Sequence, residues 1–200
     1  MPRRERILSL SCGGLLLLFL LMPPPSSESA PRQRGDFGKP LFVANASVTL
    51  LENSAYWRAL QEAIDKATRE ITLSFFSFKI KGDRGGYPDI IVARLAEAAK
   101  RGVKVVVLLE GGRDQGDSTS QENRRTREIL QQKGVRVFLD APEKTTHTKI
   151  VVIDGKYTFL GSHNLTQSAL KYNNEVSVMI ESPQVAAEAL NYIRSLLPGG

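Results

Sequence analysis

The feature that most constrains the fold is a nearly unbroken apolar run at residues 103–110, VKVVVLLE. A strand that faces water on one side alternates between apolar and polar residues, whereas a continuous apolar run predicts a central strand covered on both faces. Helical periodicity is found before this run, at residues 54–69 and 88–101, and after it, at residues 119–133. We therefore predict an α/β layered domain with a mixed, largely parallel sheet between helices.

The remaining elements continue this alternation of strands and helices. Pro88 stands in the first turn of one predicted helix, and Gly102 and Gly134 follow the ends of two. The sequence contains no internal repeat. Further strands are predicted at residues 41–51, 71–80, 135–139, 149–153, 158–160 and 175–180, and a closing helix at residues 185–197.

Residues 1–29 are typical of a secretory signal peptide or an N-terminal signal anchor. Three arginines precede the apolar residues 7–22, and a stretch rich in proline and serine follows them. As a helix this segment would rise about 24 Å, less than the thickness of the hydrocarbon core, so cleavage is favoured over a permanent anchor. Residues 30–40 are predicted to be a linker and residues 41–200 the folded domain. We expect the domain to be periplasmic or secreted, or else held at the membrane by residues 7–22.

Charge and cysteine content restrict the partners of this domain. The chain has 27 basic and 21 acidic residues, a net charge of +6, and residues 1–29 contain only three of the basic and two of the acidic ones. The domain itself is therefore basic, which favours nucleic acid or an anionic lipid surface as partner. The one cysteine, Cys12, lies in the apolar segment, so the domain can form neither a disulfide nor a cysteine zinc site.

The residues that could carry chemistry lie in two segments, HTKIVVID at residues 147–154 and GSHN at residues 161–164. Residues two apart on a strand share a face, so His147 and Lys149 project together and place an imidazole beside a fixed positive charge. Asp154 and the glycine after it predict a tight turn between two strands. The second strand then returns a hydroxyl and an amide to the same end of the sheet.

HTKIVVID followed by GSHN resembles the HKD motif of the phospholipase D superfamily. Glu175 stands where that family places an acidic residue behind its histidine. A lone HxK pattern has almost no specificity, whereas this spacing over three segments is highly specific. The resemblance extends over residues 41–197. It implies the layered fold of the superfamily and a metal-independent phosphodiesterase that needs no cofactor.

The resemblance also implies a role for each matched residue. His147 would attack phosphorus to form a phosphohistidine, which divides one difficult displacement into two. Lys149 and Asn164 would hold the non-bridging oxygens of the anionic phosphodiester, and Ser162 could add a hydrogen bond. Glu175 would accept a hydrogen bond from the other imidazole nitrogen and fix the tautomer of the nucleophile.

Two residues have competing interpretations. Asp154 completes the motif and counts among the catalytic candidates, but it lies at the far end of its strand from His147, which favours a structural role in the hairpin. His163 could serve as the general acid, yet its place between Ser162 and Asn164 favours a side chain that points away from the site.

The number of motifs bears on the assembly. Members of the superfamily often carry two HKD motifs in one chain, with their histidines facing each other across a pseudo-twofold axis. This chain has one, so the resemblance implies a single-motif branch in which an isologous homodimer sets His147 of each chain against the other. One imidazole attacks and the second protonates the leaving group. The active site would then lie at the twofold interface.

Two substrate classes share this chemistry. Single-motif members that resemble this chain include extracytoplasmic bacterial endonucleases, which cut DNA or RNA. Four basic residues on the loops before the motif suit a phosphate backbone, although such residues are also common on inert surfaces. They are Lys79, Lys81, Arg84 and Arg113.

The alternative is a phospholipase D that converts membrane phospholipids of the phosphatidylcholine or cardiolipin type to phosphatidic acid. Phe75, Phe76 and Phe78 could form a lipid-facing patch, but aromatic residues at strand spacing are more often core. A third hypothesis is a binding module that keeps the fold and lacks the reaction. Every matched position of the motif is filled, which argues against it.

Overall fold

The computed structural model describes residues 43, 45–82, 85–112, 117–141 and 143–197. The predicted signal and linker, residues 1–40, and two basic loop residues, Arg84 and Arg113, lie outside these. Within the described residues, seven strands form one sheet in the order β1-β7-β6-β5-β2-β3-β4. The strands are β1 (Ser47–Glu52), β2 (Glu70–Phe75), β3 (Lys104–Leu109), β4 (Arg136–Leu139), β5 (Lys149–Ile153), β6 (Tyr157–Gly161) and β7 (Val176–Glu181).

Five helices connect or flank these strands in the described part of the chain. The short helix α4 was not predicted, because five residues give too little periodicity to recognise. None of these helices is both long and apolar enough to cross a bilayer. The helices are α1 (Ser54–Lys66), α2 (Tyr87–Lys100), α3 (Ser118–Gln132), α4 (Gln167–Lys171) and α5 (Pro183–Ser195).

The sheet is mixed, as predicted, but the expectation that it is largely parallel was wrong. Only the β2–β3 and β3–β4 pairs are parallel, and the other four pairs are antiparallel. Helices α2 and α3 provide the crossovers that the parallel pairs need, whereas β5 and β6 are joined by a tight turn that permits only an antiparallel pair. In that turn Asp154 and Gly155 have φ angles of 54° and 61°, the left-handed conformation that such hairpins favour.

Two predicted elements end earlier than the sequence indicated. Helix α1 stops at Lys66, because Ala67 is extended and the amides that follow donate to the carboxylate of Asp154. Strand β2 stops at Phe75. Beyond it the chain leaves the β2–β3 ladder, and Phe78 forms a single bridge with Leu165.

Strand β3 is buried on both faces, which confirms the prediction for residues 103–110. Val105, Val107 and Leu109 lie in the larger core, to which α1, α2, α3 and α4 contribute. Leu108 faces the opposite side, where it packs in a smaller core with residues of β5 and α5. The alternation of a strand sends successive side chains to opposite faces, so apolar residues are needed at each position from Val105 to Leu109, whereas Lys104 at the start of β3 is exposed.

Candidate active site

The segments of the motif meet at one edge of the sheet. Strand β5 is an antiparallel neighbour of β6, and β6 of β7, so the start of β5 lies beside the end of β6 and the start of β7. His147 and Lys149 stand at the start of β5, Ser162 and Asn164 follow β6, and Glu175 precedes β7. The sheet topology thus brings five of the six catalytic candidates to one edge.

His147 is exposed, and its imidazole lies beside Lys149. Lys149 Nζ is 3.4 Å from His147 Nδ1 and donates a hydrogen bond to the His147 carbonyl oxygen at 3.2 Å. The ring of Phe76 supports both groups, because its centroid is 4.5 Å from the imidazole centroid and 5.4 Å from Lys149 Nζ. The site therefore presents an accessible imidazole and a cation on an aromatic base.

The environment of Lys149 strengthens its electrostatic effect. Partial burial lowers the pKa of Lys149, and the negative charge of Glu175 opposes that shift. A half-buried ammonium is less screened by water than an exposed one, so it attracts an anion more strongly. This is the property expected of a group that binds a phosphodiester.

Glu175 does not make the contact that the sequence predicted. His147 and Glu175 share no hydrogen bond among the described residues. Both carboxylate oxygens of Glu175 accept hydrogen bonds from other donors. The hydroxyl of Ser162 donates to Oε2, and the side-chain amide of Asn173 donates to Oε1 at 3.0 Å. Glu175 acts on the site through its bond to Ser162 and its charge near Lys149.

The two residues after β6 differ in their hydrogen bonding. The hydroxyl of Ser162 donates to Glu175 and accepts from the amide of Val176 at 3.1 Å. Asn164 Oδ1 is buried and has no hydrogen-bond partner in the described part of the chain. A buried polar atom without a partner is rare and calls for an explanation. The role of Asn164 in holding a phosphate oxygen stays a prediction, and it would fall to the side-chain NH₂ group, since the amide oxygen can only accept.

His163 points away from the site, as the sequence favoured. Its ring is buried and stacks on Tyr56, with 4.3 Å between the ring centroids and 8° between the planes. Its Nδ1 is 2.8 Å from the Ser177 hydroxyl and its Nε2 is 3.0 Å from the carbonyl oxygen of Asn53. Burial lowers the pKa of His163, which favours the neutral ring. This histidine supports the fold and is not placed to serve as the general acid.

The hydrogen bonds of His163 also reach Glu175. Asn53 binds both residues. Its carbonyl oxygen bonds to His163, and its side-chain oxygen accepts a hydrogen bond from the Glu175 backbone amide at 2.9 Å. The Asn53 amide donates in return to the Glu175 carbonyl oxygen at 2.9 Å. The backbone of Glu175 is thereby fixed at the end of β1.

Asp154 was counted among the catalytic candidates, but its position at the other end of β5 shows that it does not belong to the site. Asp154 follows β5 at the end opposite to His147, about 20 Å along the strand. Its carboxylate accepts hydrogen bonds from the amides of Thr68, Arg69 and Glu70 at 2.8–3.0 Å. Partial burial is the largest single effect on the pKa of Asp154 and raises it, but the hydrogen bonds together outweigh burial and lower the pKa. Asp154 joins the end of α1 to the β5–β6 hairpin.

The residues that hold the backbone around His147 were not predicted from the sequence. The carbonyl oxygen of Thr148 accepts a hydrogen bond from the amide of Phe76 at 2.9 Å, and its hydroxyl is 2.6 Å from that of Ser74. The amide of Thr146 donates to the carboxyl group of Glu110. Thr148 is thus anchored at the end of β2, and Thr146 is anchored at the end of β3.

Asn123 of α3 was also missed. Its side chain is fully buried and makes three hydrogen bonds to backbone groups at this edge of the sheet. Asn123 Nδ2 donates to the carbonyl oxygens of Phe76 and Glu110 at 2.8 and 2.9 Å, and Asn123 Oδ1 accepts from the amide of Phe78 at 2.9 Å. In the sequence, no pattern singles out Asn123, because the buried side of α3 also carries the polar residues Ser120 and Thr126.

Comparison with known families decides the identity of the fold. The model of the family described as "Cardiolipin synthase, PLD-like domain" matches residues 60–197, well over half of the chain and every residue of the candidate site. This chain belongs to the phospholipase D superfamily. This match confirms the predicted resemblance. Members of this superfamily are phosphodiesterases.

Individual members of the phospholipase D superfamily show more distant similarity. Proteins named phospholipase D from Rickettsia typhi and Rickettsia prowazekii are 28% and 29% identical to this chain over 146 and 147 residues. These matches cover 73% and 74% of this chain and 65% of each relative. The chain thus spans just under two thirds of the length of these relatives.

Solved structures confirm the layered α/β fold of the superfamily. Nuc from Salmonella typhimurium, a phospholipase D family member, superposes with a TM-score of 0.64 and 24% identity, covering 76% of this chain and 93% of Nuc. NucT from Helicobacter pylori gives a TM-score of 0.59 and 21% identity, covering 76% of this chain and 95% of NucT. At these identities the similarity shows the fold alone.

Proposed function

We propose that this chain hydrolyses phosphodiester bonds through a phosphohistidine on His147, without a metal ion, and that it is an extracytoplasmic endonuclease acting on DNA or RNA. One observation carries the proposal. An exposed imidazole lies beside the half-buried ammonium of Lys149, at the edge of the sheet where Ser162, Asn164 and Glu175 also lie. The extracytoplasmic location rests on residues 1–29.

The arrangement fits a two-step displacement. A ring nitrogen of His147 attacks phosphorus, the bond to the leaving oxygen breaks, and that oxygen takes a proton from a second imidazole, the partner's His147. Water then attacks the phosphohistidine and gives its proton back to the second imidazole. Lys149 stabilises the anionic phosphoryl group throughout, and its partial burial makes this interaction stronger.

Two observations favour nucleic acid over lipid. Phe75 and Phe78 are fully buried and Phe76 packs under His147, so the three phenylalanines do not form a lipid-facing patch. Lys81 is exposed and can contact a phosphate backbone, whereas Lys79 is paired with Glu122 at 3.1 Å. The names of the Rickettsia relatives support the alternative, a phospholipase D that acts on phosphatidylcholine or cardiolipin.

A substrate panel tests this assignment. The purified chain is incubated in excess EDTA with plasmid DNA, with RNA, and with phosphatidylcholine or cardiolipin vesicles. We expect cleavage of nucleic acid, because the basic domain concentrates a polyanionic backbone at the site. Release of lipid head groups with nucleic acid intact would replace the endonuclease by the phospholipase D. Absence of EDTA-resistant cleavage of all these substrates would contradict the proposed function.

We further propose that the chain acts as a homodimer with the active site at the twofold interface. One face of the sheet carries large apolar side chains that the described helices leave exposed. Val48, Leu50, Leu160 and Val176 are exposed by 61%, 58%, 44% and 50%. Leu50 and Leu160 lie on either side of the same residue of β7 in the register, so they share this face. An exposed apolar patch of this kind favours association.

This apolar face reaches the active site. Val176 directly follows Glu175, and Leu160 lies two residues before Ser162. A second copy that covers the face would therefore bring its own residues to the same edge of the sheet. The continuity of the face with the site supports a second copy of this chain as the partner.

Introducing charge on the apolar face tests the dimer. We expect Leu50→Asp to shift the chain from dimer to monomer in sedimentation velocity and to lower phosphodiesterase activity at least about tenfold, because a buried unpaired carboxylate opposes association. Ala93→Asp is the matched control, since Ala93 is an exposed apolar residue of α2 on the opposite face of the sheet. A wild-type chain that sediments as a fully active monomer would rule out the dimer.

A further inference from the structure

Two carboxyl groups converge on the backbone next to the candidate nucleophile. Glu110 directly follows β3, and Asp140 directly follows β4, its parallel neighbour. Both accept a hydrogen bond from the same donor, the amide of Thr146, through Glu110 Oε2 and through Asp140 Oδ2, the latter at 3.1 Å. Thr146 immediately precedes His147, so the pair holds the chain one residue before the imidazole.

The other oxygens of the pair are also engaged. Glu110 Oε1 accepts from the amide of Gly112 at 3.0 Å, and Asp140 Oδ1 accepts from the amide of Gly111 at 2.5 Å. The Asp140 amide donates to the Leu109 carbonyl oxygen at 3.0 Å. The pair is therefore fixed by backbone groups on both strands and not by mobile side chains.

Two carboxyl groups that share one donor cannot both be ionised at low cost. Glu110 is only 4% exposed, and like charges at such short range repel strongly when water is excluded. Burial raises the pKa of Glu110, and the neighbouring Asp140 raises it further, while the amide of Thr146 opposes the shift. Glu110 is therefore easier to protonate than an ordinary glutamic acid.

The surroundings of the pair contribute few other charges. Helix α3 packs here through Asn123, whose amide donates to the Glu110 carbonyl oxygen, and through Arg124, whose guanidinium donates to the Gly111 carbonyl oxygen at 3.0 Å. The segment before β5 contributes the Thr146 amide and then His147 itself. Among these groups, Asp140 is the titratable side chain that faces Glu110 directly.

We propose that Glu110 and Asp140 are positioning residues that together hold the Thr146 amide and thereby fix His147 beside Lys149. Thr148, on the other side of His147, is held by Phe76 and Ser74. Because Thr146 and Thr148 are both anchored, the backbone that carries the His147 imidazole is fixed, although the side chain itself is exposed. This inference rests on the proposed function for its catalytic consequence, but the structural consequence can be measured without any activity.

Three single variants of the full chain separate the pair from a merely structural contact. Glu110→Gln keeps the size of the side chain but has one acceptor oxygen for the two backbone amides, those of Thr146 and Gly112, that Glu110 accepts from. Glu110→Ala removes both acceptor oxygens. Asp140→Asn places an amide group where two backbone N–H groups need acceptors. Hydrogen exchange of the Thr146 amide, followed by 15N NMR, reports on the hydrogen bond directly, and kcat and KM report on its effect on the reaction.

We expect slow Thr146 exchange in the wild-type chain, exchange at least about 100-fold faster in Glu110→Ala and Asp140→Asn, and an intermediate rate in Glu110→Gln, which retains one acceptor. In Glu110→Ala and Asp140→Asn kcat should fall about 100-fold while KM changes less than about threefold, because a displaced nucleophile affects the chemical step and not the binding of the phosphodiester. If Glu110→Ala does not fold, Asp140→Asn and Glu110→Gln still give the comparison.

The pH profile provides a second readout. Ionisation of Glu110 would set two negative charges against each other, so wild-type kcat should decline as the pH rises through the raised pKa of Glu110. Glu110→Gln cannot ionise and should lack that decline, while a later decline from Lys149 should remain in both. Unchanged Thr146 exchange in Glu110→Ala or in Asp140→Asn would overturn the proposal. A wild-type chain without phosphodiesterase activity would refute the proposed function, and the exchange data would still decide the role of the pair.

Discussion

Replacing His147 with alanine should abolish phosphodiester hydrolysis and leave the fold intact. The imidazole is exposed, and within the described part of the chain it contacts Lys149 and the ring of Phe76. Its removal should therefore change the free energy of unfolding by less than about 0.5 kcal/mol. In the proposed homodimer activity would depend on this residue twice, because one His147 would be the nucleophile and the other the general acid. We expect kcat to fall at least about 10⁴-fold.

The measurement is initial-rate hydrolysis in excess EDTA on the substrate that the panel selects. The reaction of the wild-type chain should also yield an acid-labile phosphorylated intermediate in rapid quench, which the His147→Ala chain lacks. Lys144→Ala is the matched control, since Lys144 is an exposed residue three positions upstream that the site does not use. Residual activity above a tenth of wild type in His147→Ala would assign the nucleophile to another residue.

Replacing Asn123 with alanine should give the largest loss of stability among the polar residues at this edge. Asn123 is fully buried. The substitution removes the hydrogen-bond partner of the Phe76 and Glu110 carbonyl oxygens and of the Phe78 backbone amide. Each unsatisfied buried group costs free energy, and partial rearrangement recovers some of it. We expect the free energy of unfolding to fall by about 3 kcal/mol.

Urea denaturation of the two chains measures this difference. Asn191→Ala provides the control, because Asn191 lies on an exposed position of α5 and should change stability little. Since Asn123 also holds Phe76, which packs under His147, kcat should decline more than stability alone explains under conditions where the variant is fully folded. A loss of less than about 1 kcal/mol would mean that water replaces the amide at no great cost.

Much of the candidate site could be predicted from short-range patterns. The two-residue spacing of His147 and Lys149 puts them on one side of a strand whatever the rest of the chain does. The tight turn at Asp154 then returns the chain, so Ser162 and Asn164 reach the same edge. These are local consequences of strand geometry, which explains why they were recognised without knowledge of the fold.

The interactions among these residues were less predictable. Glu175 was expected to bind His147 directly, but its oxygens are taken by Ser162 and Asn173. Spacing along the chain places a residue near a site, but the choice among several donors within reach depends on distances of a few tenths of an ångström. Such distances follow from how β6 and β7 pack against each other and against β1.

The sequence by itself determined the superfamily, the edge of the sheet that carries the motif, and the burial of residues 103–110 on both faces. All three depend on periodicity and on spacing within short segments, where covalent geometry limits the options. The strand directions, the Glu110–Asp140 pair and the role of Asn123 were decided only by the tertiary structure. Each of them joins residues that are distant along the chain, and their approach depends on how the strands are ordered and how α3 packs, which no local pattern in one sequence specifies.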